Sequence, residues 1–223
     1  MVQPCFEYKM FKNVFQFPGQ GSQVVGMGKD LYSYSTIAKR IYEEANDILK
    51  FNLSEVSFNG PIEELTMTRN AQPALLTHEY TLFRMMVEEG LETDHSLFLG
   101  HSLGEYSALT CAGVIKFSDS VKLVHLRGKF MQEAVPKELG AMVAVVRLDA
   151  ISTEKVLQVS TEINNSEMVC EAANFNSPDQ IVFSGNKSGI DLFTQKLSEM
   201  KMRTIPLKVS APFHCLLMKP AQE

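Results

Sequence analysis

The sequence lacks several features that would assign it to a particular class of protein. Its 21 Lys and Arg stand against 26 Asp and Glu, a net charge of −5, so the basic surplus typical of nucleic-acid binders is missing. No apolar run is long enough to span a membrane. The four cysteines have the spacing of neither a zinc knuckle nor a redox pair, which favours small packing residues in a reducing, cytoplasmic protein. We therefore expect no metal site.

What is present is the balance of an ordinary globular protein. Of the 223 residues, 45% are hydrophobic and 21% are charged, enough for one large domain or for a domain with an inserted subdomain. Short apolar runs predict buried strands at residues 13–17 and 96–99, and helical spacing predicts helices over 37–50, 70–89 and 118–135. These elements favour an α/β domain.

The second half of the chain has a different rhythm. It predicts strands at 141–148, 168–173, 180–184 and 203–209, helices at 152–163 and 188–200, and a turn at 176–178. The order β-α-β-β-α-β is that of a ferredoxin-like unit. We predict a large α/β domain over 10–137, a ferredoxin-like subdomain over 138–209, and a return to the large domain over 210–223.

A candidate nucleophile lies between a predicted strand and a predicted helix. Gly100 to Gly104 reads GHSLG and fits the G-x-S-x-G pattern of a nucleophile elbow, with Ser102 at its centre. A serine on a sharp turn needs small neighbours, and the following helix directs backbone N–H groups at the reacting atoms. The alternative is a strand-to-helix turn whose serine only caps the helix.

A serine nucleophile needs a general base, and the chain has five histidines. His78 and His125 fall within helical patterns, His95 lies in a polar loop, and His101 adjoins the serine on the same turn. The remaining candidate is His214, in a Pro-restricted loop after a predicted strand, a usual place for catalytic side chains. The alternative is a loop histidine exposed to water.

Four separated motifs resemble one known family. They are PGQGSQ (18–23), GHSLGEYSAL (100–109), RG (127–128) and PFH (212–214). Together they resemble the malonyl-CoA:acyl carrier protein transacylases of bacterial fatty-acid synthesis, relatives of the acyltransferase domains of polyketide synthases. The resemblance implies a hydrolase-like parallel-sheet domain that carries the ferredoxin-like insert. It also implies a monomeric enzyme that needs no cofactor, with malonyl-CoA and acyl carrier protein as partners.

The resemblance also implies catalytic roles for individual residues. Ser102 would become malonyl-serine, and His214 would activate it and then protonate the departing thiolate. The backbone N–H groups of Gln20 and Leu103 would form the oxyanion hole.

Four further residues would contact the acyl group. Arg127 would pair with the free carboxylate of the malonyl group, although from the residues alone a solvated helix arginine is the simpler interpretation. Phe213 resembles the bulky residue that crowds an α-methyl branch. Asn174 and Asn176 match an asparagine pair near the family's acyl pocket.

Members of this family continue beyond the position of Glu223. The resemblance therefore implies a truncated chain, and the carbonyl that orients the catalytic histidine would lie in the missing segment. Two alternatives remain besides the transferase. One is a serine hydrolase with the same elbow, which has no general need of a cation for a carboxylated acyl group. The other is a non-catalytic remnant that folds but forms no acyl-enzyme.

Overall fold

A computed structural model describes residues 11–136, 138–207, 209 and 211–223. The chain divides into two compact units, Met1–Gly128 (the first unit) and Lys129–Glu223 (the second unit). The predicted domain boundaries at Met10, Lys137 and Ser210 fall on residues outside the described part, and those domain limits stay a prediction.

The first unit is mainly helical. Its elements in chain order are β1 (Asn13–Phe17), α1 (Lys29–Tyr34), α2 (Thr36–Leu49), α3 (Leu53–Asn59), α4 (Ile62–Thr66), α5 (Thr68–Glu88), β2 (Ser96–Gly100), α6 (Leu103–Cys111) and α7 (Phe117–Glu133), whose last residues belong to the second unit. Strands β1 and β2 are parallel neighbours, with Phe15 opposite Phe98. Parallel pairing requires a crossover connection, which helices α1 to α5 supply.

Helix α5 lies in the core of the first unit. Its Leu75 and Leu76 are buried together with Leu103 of α6 and with Val121 and Val124 of α7. The ring of Phe83, also on α5, meets that of Phe15 edge-on, with centroids 5.4 Å apart. Apolar residues at helical spacing therefore fix α5 against both the sheet and the neighbouring helices.

The second unit is built around one antiparallel sheet. Its elements are β3 (Gly140–Val146), α8 (Ala150–Ile163), β4 (Cys170–Ser177), β5 (Gln180–Asn186), α9 (Lys187–Glu199), β6 (Arg203–Pro206), a 3-10 helix (Leu216–Met218) and α10 (Lys219–Gln222). The strand order is β4-β5-β3-β6, and each neighbouring pair is antiparallel.

Both faces of this sheet are apolar, because side chains alternate along each strand. On β3, Val143 and Val145 pack in one cluster with residues of α8 and α9. The alternate residues, Met142 and Ala144, belong to a separate cluster that includes Phe213. The alternation places helices on one face of the sheet and the 211–213 loop on the other.

The predicted elements agree with this order, with local differences. The turn predicted at 176–178 comes later, at residues 178–179, because β4 continues to Ser177 and stays paired with β5 through two register shifts. Strand β6 ends at Pro206 rather than at residue 209. Helices α1 and α3 were not predicted, since six or seven residues show too little periodicity.

Among the described residues, none of the helices combines the length and the apolar character needed to cross a membrane.

Candidate active site

Ser102 lies on a sharp turn between a strand and a helix. Strand β2 ends at Gly100 and α6 begins at Leu103, and Ser102 itself has φ 54° and ψ −102°. A side chain at this backbone conformation is strained, and such strain clusters at functional sites. The side chain makes no capping hydrogen bond to the helix. The geometry therefore favours the nucleophile elbow over the helix-capping serine.

The two glycines of the motif are required by close backbone contacts. A Cβ at Gly100 would overlap the backbone at Gly104 and Glu105, and a Cβ at Gly104 would overlap the carbonyl of Phe17. These neighbours are main-chain atoms and cannot swing away. The G-x-S-x-G spacing thus lets α6 start directly against both strands.

The turn after β1 lies beside this elbow. The N–H of His101 donates to the carbonyl of Phe17 at 3.1 Å, which ties the elbow to β1. Three residues after Phe17, the Gln20 side chain donates to Thr68 Oγ1 at the start of α5, at 3.2 Å. Leu103 is the first residue of α6, a position whose N–H has no acceptor within the helix.

Arg127 of α7 reaches the side chain of Ser102. Its Nη2 donates to Ser102 Oγ at 3.2 Å, and its Nη1 donates to Gln72 Oε1 at 2.7 Å. The guanidinium carbon also lies 5.4 Å from the ring centroid of Tyr106. Burial lowers the pKa of Arg127, and Tyr106 and Glu105 oppose that shift. The solvated-arginine interpretation is therefore not what the structure shows.

Gly128 explains why an Arg-Gly pair occurs here. A Cβ at Gly128 would lie 2.5 Å from the carbonyl oxygen of Thr68. Without that Cβ, α7 can approach the first turn of α5 closely. The approach brings Arg127 within hydrogen-bonding distance of Gln72, one turn further along α5.

The other predicted site residues belong to the second unit. His214 is exposed and has a positive φ of 60°. Phe213 is buried at 7% exposure in the apolar cluster that contains Met142. Asn174 is half-buried on β4, whereas Asn176 is exposed and donates to Gln180 Oε1 at 2.8 Å. The roles predicted for these four residues stay predictions.

Within the first unit the structure joins Ser102 and Arg127, and it adds two residues that were not predicted. Gln72 is 1% exposed on α5, between the buried apolar residues Ala71 and Pro73, and Tyr106 lies one turn into α6. A glutamine inside an apolar helical pattern was the available signal, since a buried amide requires a polar partner. No pattern in the sequence singled out Tyr106.

Two other features of the first unit do not include Ser102. A groove of about 340 Å³ is lined by β1 and α5, with His78, Glu79, Leu82 and Met86 among its residues, but neither Ser102 nor Arg127. Burial lowers the pKa of His78, whose Nδ1 lies 3.3 Å from the Tyr42 hydroxyl.

Over the part of the chain that the structure describes, no group of three or more His, Cys, Asp or Glu could hold a metal ion.

Comparison with known proteins identifies the family. The sequence profile of the acyl transferase domain matches residues 14–223. The chain belongs to the acyl transferase domain family. The chain is 47% identical over 215 residues to the malonyl CoA-acyl carrier protein transacylase of Bacillus subtilis strain 168, and 45% identical over 216 residues to that of Escherichia coli K12. Both alignments cover 96% of this chain but only 66% and 68% of the two relatives.

Solved structures show the same similarity in three dimensions. The chain superimposes with a TM-score of 0.85 on the malonyl CoA-acyl carrier protein transacylase of Clostridium perfringens, at 40% identity over 94% of this chain and 65% of that one. A malonyl-transacylase solved in complex with a type II PKS acyl-carrier protein gives 0.86 at 41% identity, over 93% of this chain and 66% of that one. The chain therefore has the mixed α/β fold of these enzymes over about two thirds of their length.

Proposed function

We propose that this acyl transferase moves a malonyl group from malonyl-CoA to the phosphopantetheine thiol of acyl carrier protein, in fatty-acid biosynthesis. The observation that carries the proposal is the 3.2 Å hydrogen bond between Arg127 and Ser102. In a malonyl thioester a single methylene separates the carbonyl from the free carboxylate. A cation that binds this carboxylate must therefore lie beside the nucleophile, as Arg127 does.

The proposed reaction has two half-reactions. Ser102 Oγ attacks the thioester carbonyl while His214 takes its proton, and the N–H groups of Leu103 and Gln20 stabilise the oxyanion. The C–S bond then breaks, malonyl-serine remains, and CoA leaves with the proton from His214. In the second half-reaction the carrier-protein thiol loses its proton to His214 and its sulfur attacks the ester carbonyl. The ester C–O bond breaks, the malonyl group stays on the carrier sulfur, and Ser102 Oγ takes back the proton from His214. These steps use no cofactor.

Charge determines how Arg127 contributes. Its guanidinium is partly desolvated, so a carboxylate that binds it forms a stronger pair than it would in water. A planar guanidinium can hold a carboxylate through two parallel hydrogen bonds, which fixes the orientation of the acyl group. Phe213 is proposed to exclude α-branched acyl groups, and Asn174 and Asn176 to border the acyl pocket.

The proposed partner is a small acidic carrier protein, which a basic surface would attract. Lys129, Lys201 and Arg203 are exposed on the second unit, and Lys137 lies outside the described residues. We propose that these side chains contribute to docking. We further propose a monomeric cytoplasmic enzyme that does not bind membranes, and the net charge of −5 argues against nucleic acid as a partner.

A finer description of the fold is also proposed. The first unit, with its parallel strands and elbow, would be part of a hydrolase-like domain. The element order β3-α8-β4-β5-α9-β6 and the strand order β4-β5-β3-β6 support a ferredoxin-like subdomain inserted in it.

The experiment is a two-step transfer. The chain is incubated with malonyl-CoA, freed of CoA by gel filtration, and mixed with a phosphopantetheine-bearing acyl carrier protein. We expect malonyl-carrier protein by mass spectrometry, and none when the carrier lacks phosphopantetheine. Free malonate released without transfer would instead indicate a hydrolase, and a folded chain that never acquires the acyl group would indicate a non-catalytic remnant.

A further inference from the structure

Gln72 holds the guanidinium that lies beside the nucleophile. Its Oε1 accepts from Arg127 Nη1 at 2.7 Å, the shorter of the two hydrogen bonds that join Arg127 to Gln72 and Ser102. The glutamine is 1% exposed and sits in the second turn of α5, a helix fixed by its own apolar contacts. The acceptor is therefore rigidly placed, whereas Arg127 has a long side chain with several rotamers.

The chemistry of the acceptor matters as much as its position. A carboxylate at this place would hold a guanidinium more strongly, but it would also neutralise it. An amide oxygen accepts the same hydrogen bond without adding a negative charge, so the guanidinium can still pair with an anion. Burial already lowers the pKa of Arg127, so the charge is maintained at an energetic cost.

We propose that Gln72 is a positioning and specificity-determining residue for the malonyl carboxylate. It aims Arg127 at the acyl group on Ser102 and, because it is neutral, keeps the guanidinium available to a substrate carboxylate. This inference rests on the proposed function. In this role Gln72 acts through Arg127 and does not contact the reacting atoms.

Two isosteric substitutions separate position from charge. Gln72→Glu keeps the length of the side chain and adds a carboxylate at the acceptor position, so the substrate carboxylate meets a neutralised cation. We expect acylation by malonyl-CoA to fall roughly 100-fold and acylation by acetyl-CoA to change less than about threefold. Gln72→Met removes the acceptor and keeps the volume, and the malonyl rate should fall roughly tenfold. Gln158→Glu, on an exposed position of α8, is the control for added charge.

The measurement is the initial rate of acyl-enzyme formation by intact mass, with both thioesters, in the full chain. A merely structural role for Gln72 would lower both rates together, whereas the inference requires the malonyl-to-acetyl ratio to fall, further in the Glu variant than in the Met variant. An unchanged ratio in Gln72→Glu overturns it. Circular dichroism shows whether each variant is folded.

A binding measurement extends the test to conditions without turnover. Malonate should raise the melting temperature of the wild type more than acetate does, and this difference should disappear in Gln72→Glu. A malonate effect that persists in Gln72→Glu overturns the role of Gln72 alone. A wild type that does not distinguish malonate from acetate overturns the carboxylate site itself, and with it both this inference and the malonyl part of the proposed function.

Discussion

The two units of the chain differ in how many polar side chains they bury. Of the thirteen buried polar or charged residues among those described, eleven lie in the first unit and two, Ser160 and Ser184, in the second. Six of the eleven are on α5, including Gln72 and Glu79. In the second unit, the core between the sheet and helices α8 and α9 consists mainly of Val, Ile, Leu and Phe.

The difference concerns the cost of burying polar groups in each unit. Burying a polar group costs stability unless it is hydrogen-bonded, and on α5 the side chains of Asn70, Gln72 and Thr81 have hydrogen-bond partners. One of these groups, Gln72, is hydrogen-bonded to Arg127, which also donates to Ser102. The second unit has the composition of a packed scaffold, and its candidate site residue His214 lies exposed outside the core. The following substitutions test this contrast.

The largest effect on stability is expected in the second unit. Phe183 is fully buried, and its ring centroid lies 4.5 Å from that of Phe193. Phe183→Ala should lower the free energy of unfolding by about 3–5 kcal/mol, because it leaves a cavity in an apolar core. Phe175→Ala is the control, since that side chain is 67% exposed on the neighbouring strand. A urea titration in which both variants unfold at the same midpoint would contradict the packed-scaffold account.

Arg127 tests the function of the first unit. Arg127→Ala should lower the malonyl-to-acetyl ratio of kcat/KM by roughly 100-fold, which corresponds to about 2.7 kcal/mol. Arg127→Lys should recover only part of the ratio, since an ammonium cannot form the two parallel hydrogen bonds. If the alanine variant keeps the wild-type ratio, the carboxylate has another partner.

Glu79 tests the energetic cost of a buried polar group. It is 7% exposed, and burial, only partly offset by the Ser107 hydroxyl, raises its pKa from 4.5 to about 7. The folded state therefore binds the proton of Glu79 more tightly than the unfolded state does. The free energy of unfolding should fall as pH rises from about 4.5 through about 7.

Glu79→Gln mimics the protonated form. It should stabilise the chain by about 2 kcal/mol more at pH 8 than at pH 5. Glu154→Gln, at an exposed position of α8, should show no such difference. Chemical denaturation at the two pH values gives the comparison, and a larger gain at pH 5 than at pH 8 would reverse the predicted sign.

Gly128 should give the smallest effect on stability. Gly128→Ala places a Cβ 2.5 Å from the Thr68 carbonyl, which costs about 1–3 kcal/mol, while the better helix propensity of alanine returns up to about 1 kcal/mol. The net loss should be about 1 kcal/mol, and malonyl acylation should fall because α7 shifts. A variant of unchanged stability and acylation rate would show that this close contact does not position Arg127.

The sequence predicted the parts of the molecule that depend on local pattern. Strand β1, the strand-turn-helix around Ser102 and the β-α-β-β-α-β order were predicted because apolar periodicity and glycine spacing are visible along the chain. What it could not predict depends on contacts between distant segments. Gln72 and Arg127 are separated by 55 residues, and only the crossing of α5 and α7 at Gly128 brings them together.

Intact mass after incubation with malonyl-CoA shows whether Ser102 carries the acyl group. The wild-type chain should gain the mass of one malonyl group, and peptide mapping should place it on Ser102. Ser102→Ala should gain nothing while remaining folded by circular dichroism. A malonyl adduct that persists in Ser102→Ala, or a wild-type adduct mapped to another residue, would contradict the account.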